Sequence, residues 1–232
     1  MITSEYLNDA VNFKRPVLIV GPGLRSVQTN KGFIYMPMDS ALIWFAENIK
    51  SRIDVFDIPS DTPWEGCHHG IDKVKDYMKG LSQRTKLTKI KYIIGDIAEC
   101  RLSQKKYGTI WDHGTLEGLI FSSRSFSSDG PGEWDNGRVQ KILDIYKKAL
   151  RKNGKIIFSG QGSSFEAEKI NLASFTTKKI RLEADKYLTS LTPAEIFPDR
   201  DMIGTIRNYI WDEGFLFPHE ELKSILELTR IK

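Results

Sequence analysis

The sequence predicts a doubly wound α/β fold with a mostly parallel sheet, and three observations carry that prediction. Five short apolar runs rich in β-branched residues alternate with segments of helical periodicity. Each run leads into a small or acidic residue, and the first breaks directly into Gly21-Pro22-Gly23. Strand alternating with helix implies parallel strands, because right-handed crossovers lay helices on both faces of one sheet.

In chain order the expected strands are 16–20, 52–58, 89–94, 107–111 and 155–159, and the expected helices between them are 39–50, 70–81 and 138–150. The last helix shows the pattern best: Val139, Ile142, Leu143, Tyr146 and Leu150 form one apolar stripe, and Asn153-Gly154 supplies the stop. Residues 24–38 read as a long loop after the glycine turn, placed to act as a lid or as part of a substrate pocket. Beyond residue 159 the pattern loosens. It leaves a helix over 163–175, strands over 179–184 and 203–211, and a helix over 218–228 with Pro218 in its first turn and Glu220 and Glu221 near its positive end.

With 232 residues and 40% hydrophobic content, the chain can bury a substantial core, and one domain over residues 1–232 is expected. Two cysteines, Cys67 and Cys100, are too few for a disulfide scaffold, and the first residues lack a signal-peptide pattern. The longest purely apolar stretch, residues 41–46, is far short of a membrane span, so a soluble cytoplasmic protein is expected. The net charge of +4 comes from 34 basic and 30 acidic residues spread along the chain. It leaves a nucleic-acid partner open without favouring one, and the basic stretch over residues 84–91 reads as a solvated loop.

The residues that carry chemistry fall at strand ends. Gly21 and Gly23 let backbone approach a ligand closely, which a larger side chain would prevent. Asp57 closes the second strand, where a carboxylate can accept from both hydroxyls of a ribose; the competing role is a loop or capping aspartate. Asp96 and Ile97 follow the third strand. There a short carboxylate and an accessible amide suit an adenine edge, and Asp96 with Glu99 also fits a capping box. Asp112 and His113 end the fourth strand, with Glu117 close behind. Cys67-His68-His69 lacks distant partners for a metal, so no metal site is expected, and Trp64 and Trp134 sit in loops expected to border the same edge.

Taken in order, the glycine turn, the acidic end of the second strand, Gly95-Asp96, the fourth strand with Asp112 and the Leu150-to-Gly154 turn resemble the successive motifs of class I S-adenosylmethionine-dependent methyltransferases. The resemblance covers about residues 15–160. It implies a Rossmann-like methyltransferase sheet of about seven strands and S-adenosylmethionine as cofactor. Gly21 and Gly23 would lie beside the methionine part, Asp57 on the ribose, Asp96 and Ile97 on the adenine, and Asp112 near the cofactor amino group or the methyl acceptor. Two positions depart from the family pattern: Ile19 stands where an acidic residue is common, and Arg25 where a third glycine is.

Methyl transfer needs alignment more than covalent help, and a base only where the acceptor must lose a proton. His113 is the leading candidate base and Glu117 the second. The expected activity is methyl transfer to a small molecule, with a homodimer possible. Three alternatives stay open: a methyltransferase-like binding protein without turnover, a nucleic-acid methyltransferase, and an NAD(P)-dependent oxidoreductase.

Overall fold

The computed structural model describes residues 4–22, 24–29, 32–37, 41–57, 71–83, 89–113, 136–159, 171–181 and 224–231. A short helix α1 (Ser4–Ala10) leads into β1 (Val17–Val20), whose four residues are all buried because strands flank it on both sides and packed side chains cover both its faces. The chain continues through β2 (Leu24–Thr29), β3 (Gly32–Pro37), α2 (Ala41–Asn48), β4 (Ile53–Asp57), α3 (Ile71–Ser82) and β5 (Ile90–Ile94). After a 3-10 turn at Ile97–Glu99 come β6 (Tyr107–His113), α4 (Asn136–Ala149), β7 (Leu150–Ser159), β8 (Phe175–Arg181) and β9 (Ser224–Arg230).

Seven of these strands form one sheet in the order β5-β4-β1-β6-β7-β9-β8. The five strands expected from the sequence run parallel, and β9 lies antiparallel between β7 and β8. Chain order grows outward from β1 through β4 to β5, then returns to place β6 on the other side of β1. That reversal creates a switch point between β1 and β6, where the crossovers diverge and leave a crevice at the carboxyl ends.

Side chains alternate across the sheet. Val17, Ile19, Ile53, Val55, Trp111 and Ile157 join α1, α2 and α3 in one core. Leu18, Val20, Phe56, Ile110, Ile156 and Phe158 join α4 and the 3-10 turn in the other. Helix α2 buries Leu42, Ile43, Trp44, Phe45 and Ala46 together, as a helix apolar on every side must. Phe45 meets Trp111 of the sheet edge-on at 5.4 Å, while Trp44 packs on Phe13 at 5.7 Å.

Three expectations need correction. Residues 24–29 and 32–37 are not loop but an antiparallel hairpin with Thr29 opposite Gly32, as the Val, Thr, Phe, Ile and Tyr around Asn30-Lys31-Gly32 favour. The expected strand over 179–184 begins earlier, at Phe175, so residues 171–175 do not continue a helix from 163. Residues 224–228, expected within a helix, are strand β9, which fills a gap that only β7 and β8 together define. There Leu226 and Leu228 pack toward α4, and buried Glu227 accepts from Tyr6 at 2.6 Å and pairs with Lys155 at 3.1 Å. Local helical spacing yields to two hydrogen-bonded ladders. The expected strand over 203–211 lies outside the described residues.

At the amino-terminal edge, Asp54 is fully buried and receives Tyr107 Oη at 2.6 Å, Arg52 Nε at 2.6 Å and the Lys106 ammonium. Burial opposes its ionisation, but the hydrogen bonds from Lys106, Tyr107 and Arg52 outweigh that and hold the carboxyl below its usual range. A group whose pKa falls on folding adds stability above its unfolded pKa, and that stability is lost as the pH drops through the folded value. Asp54→Asn is therefore expected to cost about 1–2 kcal/mol at neutral pH. The difference from the native chain should start to shrink as the pH falls below about 4 and vanish only once the pH has passed below the lowered folded-state value, as urea denaturation at several pH values would show.

Candidate functional site

The parallel register brings the predicted residues to one edge. Val20 lies level with Phe56 on one side and Asp112 on the other, so Gly21 follows at the switch point with Asp57 and His113 beside it. Gly21 has φ +65°, a left-handed value that glycine adopts without strain, and its N–H donates to Phe56 O at 2.9 Å. The turn is thus tied to the end of β4. Pro22 after it is buried. One β4 residue further, Asp57 O receives Gly95 N–H at 3.1 Å, and Gly95 holds φ +152°.

Asp57 pairs with Ile94 in the β4/β5 ladder. By alternation both side chains project from the same face as Val55 and Tyr92. They differ sharply in exposure: Asp57 is 5% exposed and Ile94 56%. A protected carboxylate therefore sits beside an open apolar surface. Ile94 was missed in the sequence because an apolar residue ending an apolar strand reads as core.

Asp96 caps the 3-10 turn, with Oδ1 accepting Ala98 N–H at 2.8 Å and Oδ2 paired with Arg138 of α4. Glu99 turns outward to Lys141 at 2.7 Å. Each carboxylate oxygen has two lone pairs, so Asp96 keeps acceptor capacity beyond these partners. Ile97 is buried in the α4-side core.

Asp112 is 1% exposed and accepts from Tyr146 Oη at 2.7 Å. Burial, followed by the charge of Asp112 and its hydrogen bond, pushes the Tyr146 hydroxyl far up, so it remains a donor. The sequence shows Tyr146 only as part of an apolar stripe; its polar end acquires a partner through the packing of α4 on β6. His113, the last residue of β6, is half-buried and level with Ser159. Ile19 is a core residue between β4 and β6, so the departure from the family pattern there is a packing contact. Gly23 and Glu117 lie outside the described residues, as do Cys67, His68, His69, Trp64 and Trp134.

No family model matches the sequence, and no curated protein matches it. Solved structures do. The N-methyltransferase NodS from Bradyrhizobium japonicum WM9, in complex with S-adenosyl-L-homocysteine, is 12% identical with a TM-score of 0.50, covering 97% of this chain and 82% of that one. A second NodS structure is 10% identical with a TM-score of 0.50, over 97% of this chain and 90% of that one. An S-adenosylmethionine-dependent methyltransferase from Archaeoglobus fulgidus is 12% identical with a TM-score of 0.48, over 97% and 90% of the two chains. Identities this low speak to fold. With its seven-stranded order and β9 antiparallel, the chain has the fold of the class I S-adenosylmethionine-dependent methyltransferases.

Proposed function

We propose that this chain, acting as one domain over residues 1–232, binds S-adenosylmethionine and transfers its methyl group to a small-molecule acceptor. The observation that carries the reading is the Asp57–Ile94 pair at the carboxyl edge, a buried carboxylate in register with a 56% exposed apolar side chain. A ribose hydroxyl pair suits the first, and the flat face of a purine suits the second.

In this reading Gly21 and Gly23 form the turn that passes the methionine portion, Asp57 holds the ribose, and Asp96 with Ile97 meets the adenine. Asp112, kept in place by Tyr146, lends negative charge near the cofactor's ammonium group. The bound cofactor supplies an activated methyl group on a sulfonium centre. The chain's own task is alignment of the acceptor, with His113 accepting a proton where the acceptor carries one and Glu117 as the second candidate. Among the described residues no helix is long and apolar enough to cross a membrane; with that, a cytoplasmic location is part of the same proposal.

The test is thermal denaturation of the whole chain with S-adenosylhomocysteine and, separately, NADH. A ligand that binds only the native state raises the melting temperature, by about 2.7 kcal/mol of stabilisation at a hundredfold excess over Kd. S-adenosylhomocysteine is expected to raise it and NADH to leave it unchanged. A shift with NADH alone would move the assignment to an oxidoreductase. Binding without transfer of labelled methyl to any acceptor would favour a binding protein.

A further inference from the structure

We infer that a basic cleft at the opposite, amino-terminal edge of the sheet binds a small anion carrying two or more linked phosphates. The cleft measures about 480 Å³, within the range of about 300–1,000 Å³ common for small-ligand sites. Four cationic side chains line it: Arg15 just before β1, Lys105 just before β6, and Arg151 and Lys152 at the start of β7. They are far apart in sequence and meet only because β1, β6 and β7 are neighbours in the sheet.

The local backbone is shaped to present them. Pairing between β6 and β7 passes from Tyr107↔Leu150 to Thr109↔Lys155, which loops residues 151–154 out opposite Gly108. Asn153 at φ +62° and Lys105 at φ +49° turn the chain on the two sides. The floor needs glycine: a Cβ on Gly108 would stand 2.7 Å from Arg15 Cβ, and one on Gly154 2.9 Å from Arg151 O.

Among the described residues no acidic side chain lines the cleft, and none of its four cations is in an ion pair. Lys106, next in sequence, is committed to Asp54 instead. The negative end of α4 is also covered. Its carbonyls at Lys148 and Ala149 accept the Lys105 and Lys106 amides at 2.9 and 2.8 Å, and Arg230 donates to Lys147 O at 2.7 Å. Arg151 Nε reaches only a backbone carbonyl, Lys106 O at 3.3 Å, so among the described residues positive potential is focused in a concave space without a carboxylate to offset it. Asn12 Oδ1 accepts Lys14 N–H at 3.1 Å, which leaves its amide nitrogen as a donor, and Asn153 adds a second side-chain amide. Among the described residues no aromatic side chain lines the cleft to stack a base, so recognition falls to phosphate through charge-assisted hydrogen bonds. The volume exceeds what one orthophosphate fills, which points to linked phosphates.

The experiment is calorimetric titration of the whole chain with tripolyphosphate, orthophosphate and a single-stranded oligoribonucleotide, at low and at physiological ionic strength. Saturable tripolyphosphate binding is expected, about tenfold or more tighter than orthophosphate and weakened by salt. In Arg151→Gln/Lys152→Gln the affinity should fall about tenfold or more. Lys75→Gln/Lys79→Gln on the exposed side of α3 removes the same charge and should change it by less than about twofold. Equal weakening in both variants, or no saturable binding, overturns the proposal. Oligoribonucleotide binding that depends on Arg151 and Lys152 while tripolyphosphate fails to bind also overturns it, in favour of a nucleic-acid backbone. The S-adenosylhomocysteine thermal shift should be the same in both variants, which keeps this test independent of the cofactor assignment.

Discussion

Replacing His113 with alanine is expected to lower the rate of methyl transfer about 100-fold for an acceptor that must lose a proton, while cofactor affinity stays within about twofold. The residue closes β6 at the switch point, half-buried and level with Ser159 of β7, on the side of Gly21 away from Asp57 and Ile94. A side chain there can reach an acceptor without touching the adenosine end. Imidazole must be neutral to accept a proton, so the native rate should rise with pH and then level off. The alanine variant should lose that limb along with the rate. Turnover and S-adenosylhomocysteine affinity measured on one preparation across pH decide it, and full turnover at every pH would leave His113 as a residue of the strand end.

Asp57→Ala should show the complementary pattern, with binding of S-adenosylhomocysteine weakened by about 1.5–3 kcal/mol, or roughly 10- to 150-fold in Kd. The carboxylate is 5% exposed and sits where its backbone carbonyl already anchors Gly95, so it is held by its surroundings before any ligand arrives. Hydrogen bonds to a charged acceptor shielded from water are worth more than the same bonds at the surface. Asp57→Asn serves as the control of shape: it can accept ribose hydroxyls but without charge, and should fall between the native chain and the alanine variant. Circular dichroism would verify that all three are folded. Unchanged affinity in a folded alanine variant would reduce Asp57 to a structural group.

The five parallel strands and three long helices were legible in the sequence because each signal is local. Val17 to Val20 is apolar throughout because both its faces are covered, and the α4 stripe ending before Asn153-Gly154 needs only one turn of helix after another to be seen. The positions of Gly21, Asp57, Gly95, Asp96, Asp112 and His113 at one edge also followed from the sequence, since parallel strands put every strand end on the same side.

Only the tertiary structure decided which groups meet once those elements are assembled. Asp54 and Asp57 are three residues apart on one strand and have the same side chain. The first is neutralised by Lys106, Arg52 and Tyr107 at one edge, while the second lies beside exposed Ile94 at the other. Tyr146 looked apolar until α4 packed its hydroxyl onto Asp112, and the segment around Leu226 looked helical until β7 and β8 offered it two ladders. The cations of the basic cleft show no cluster in the sequence beyond Arg151-Lys152. Hydrophobic periodicity reports how a residue faces relative to its own chain neighbours; partners separated by tens of residues are set by strand order and register, which leave no local trace.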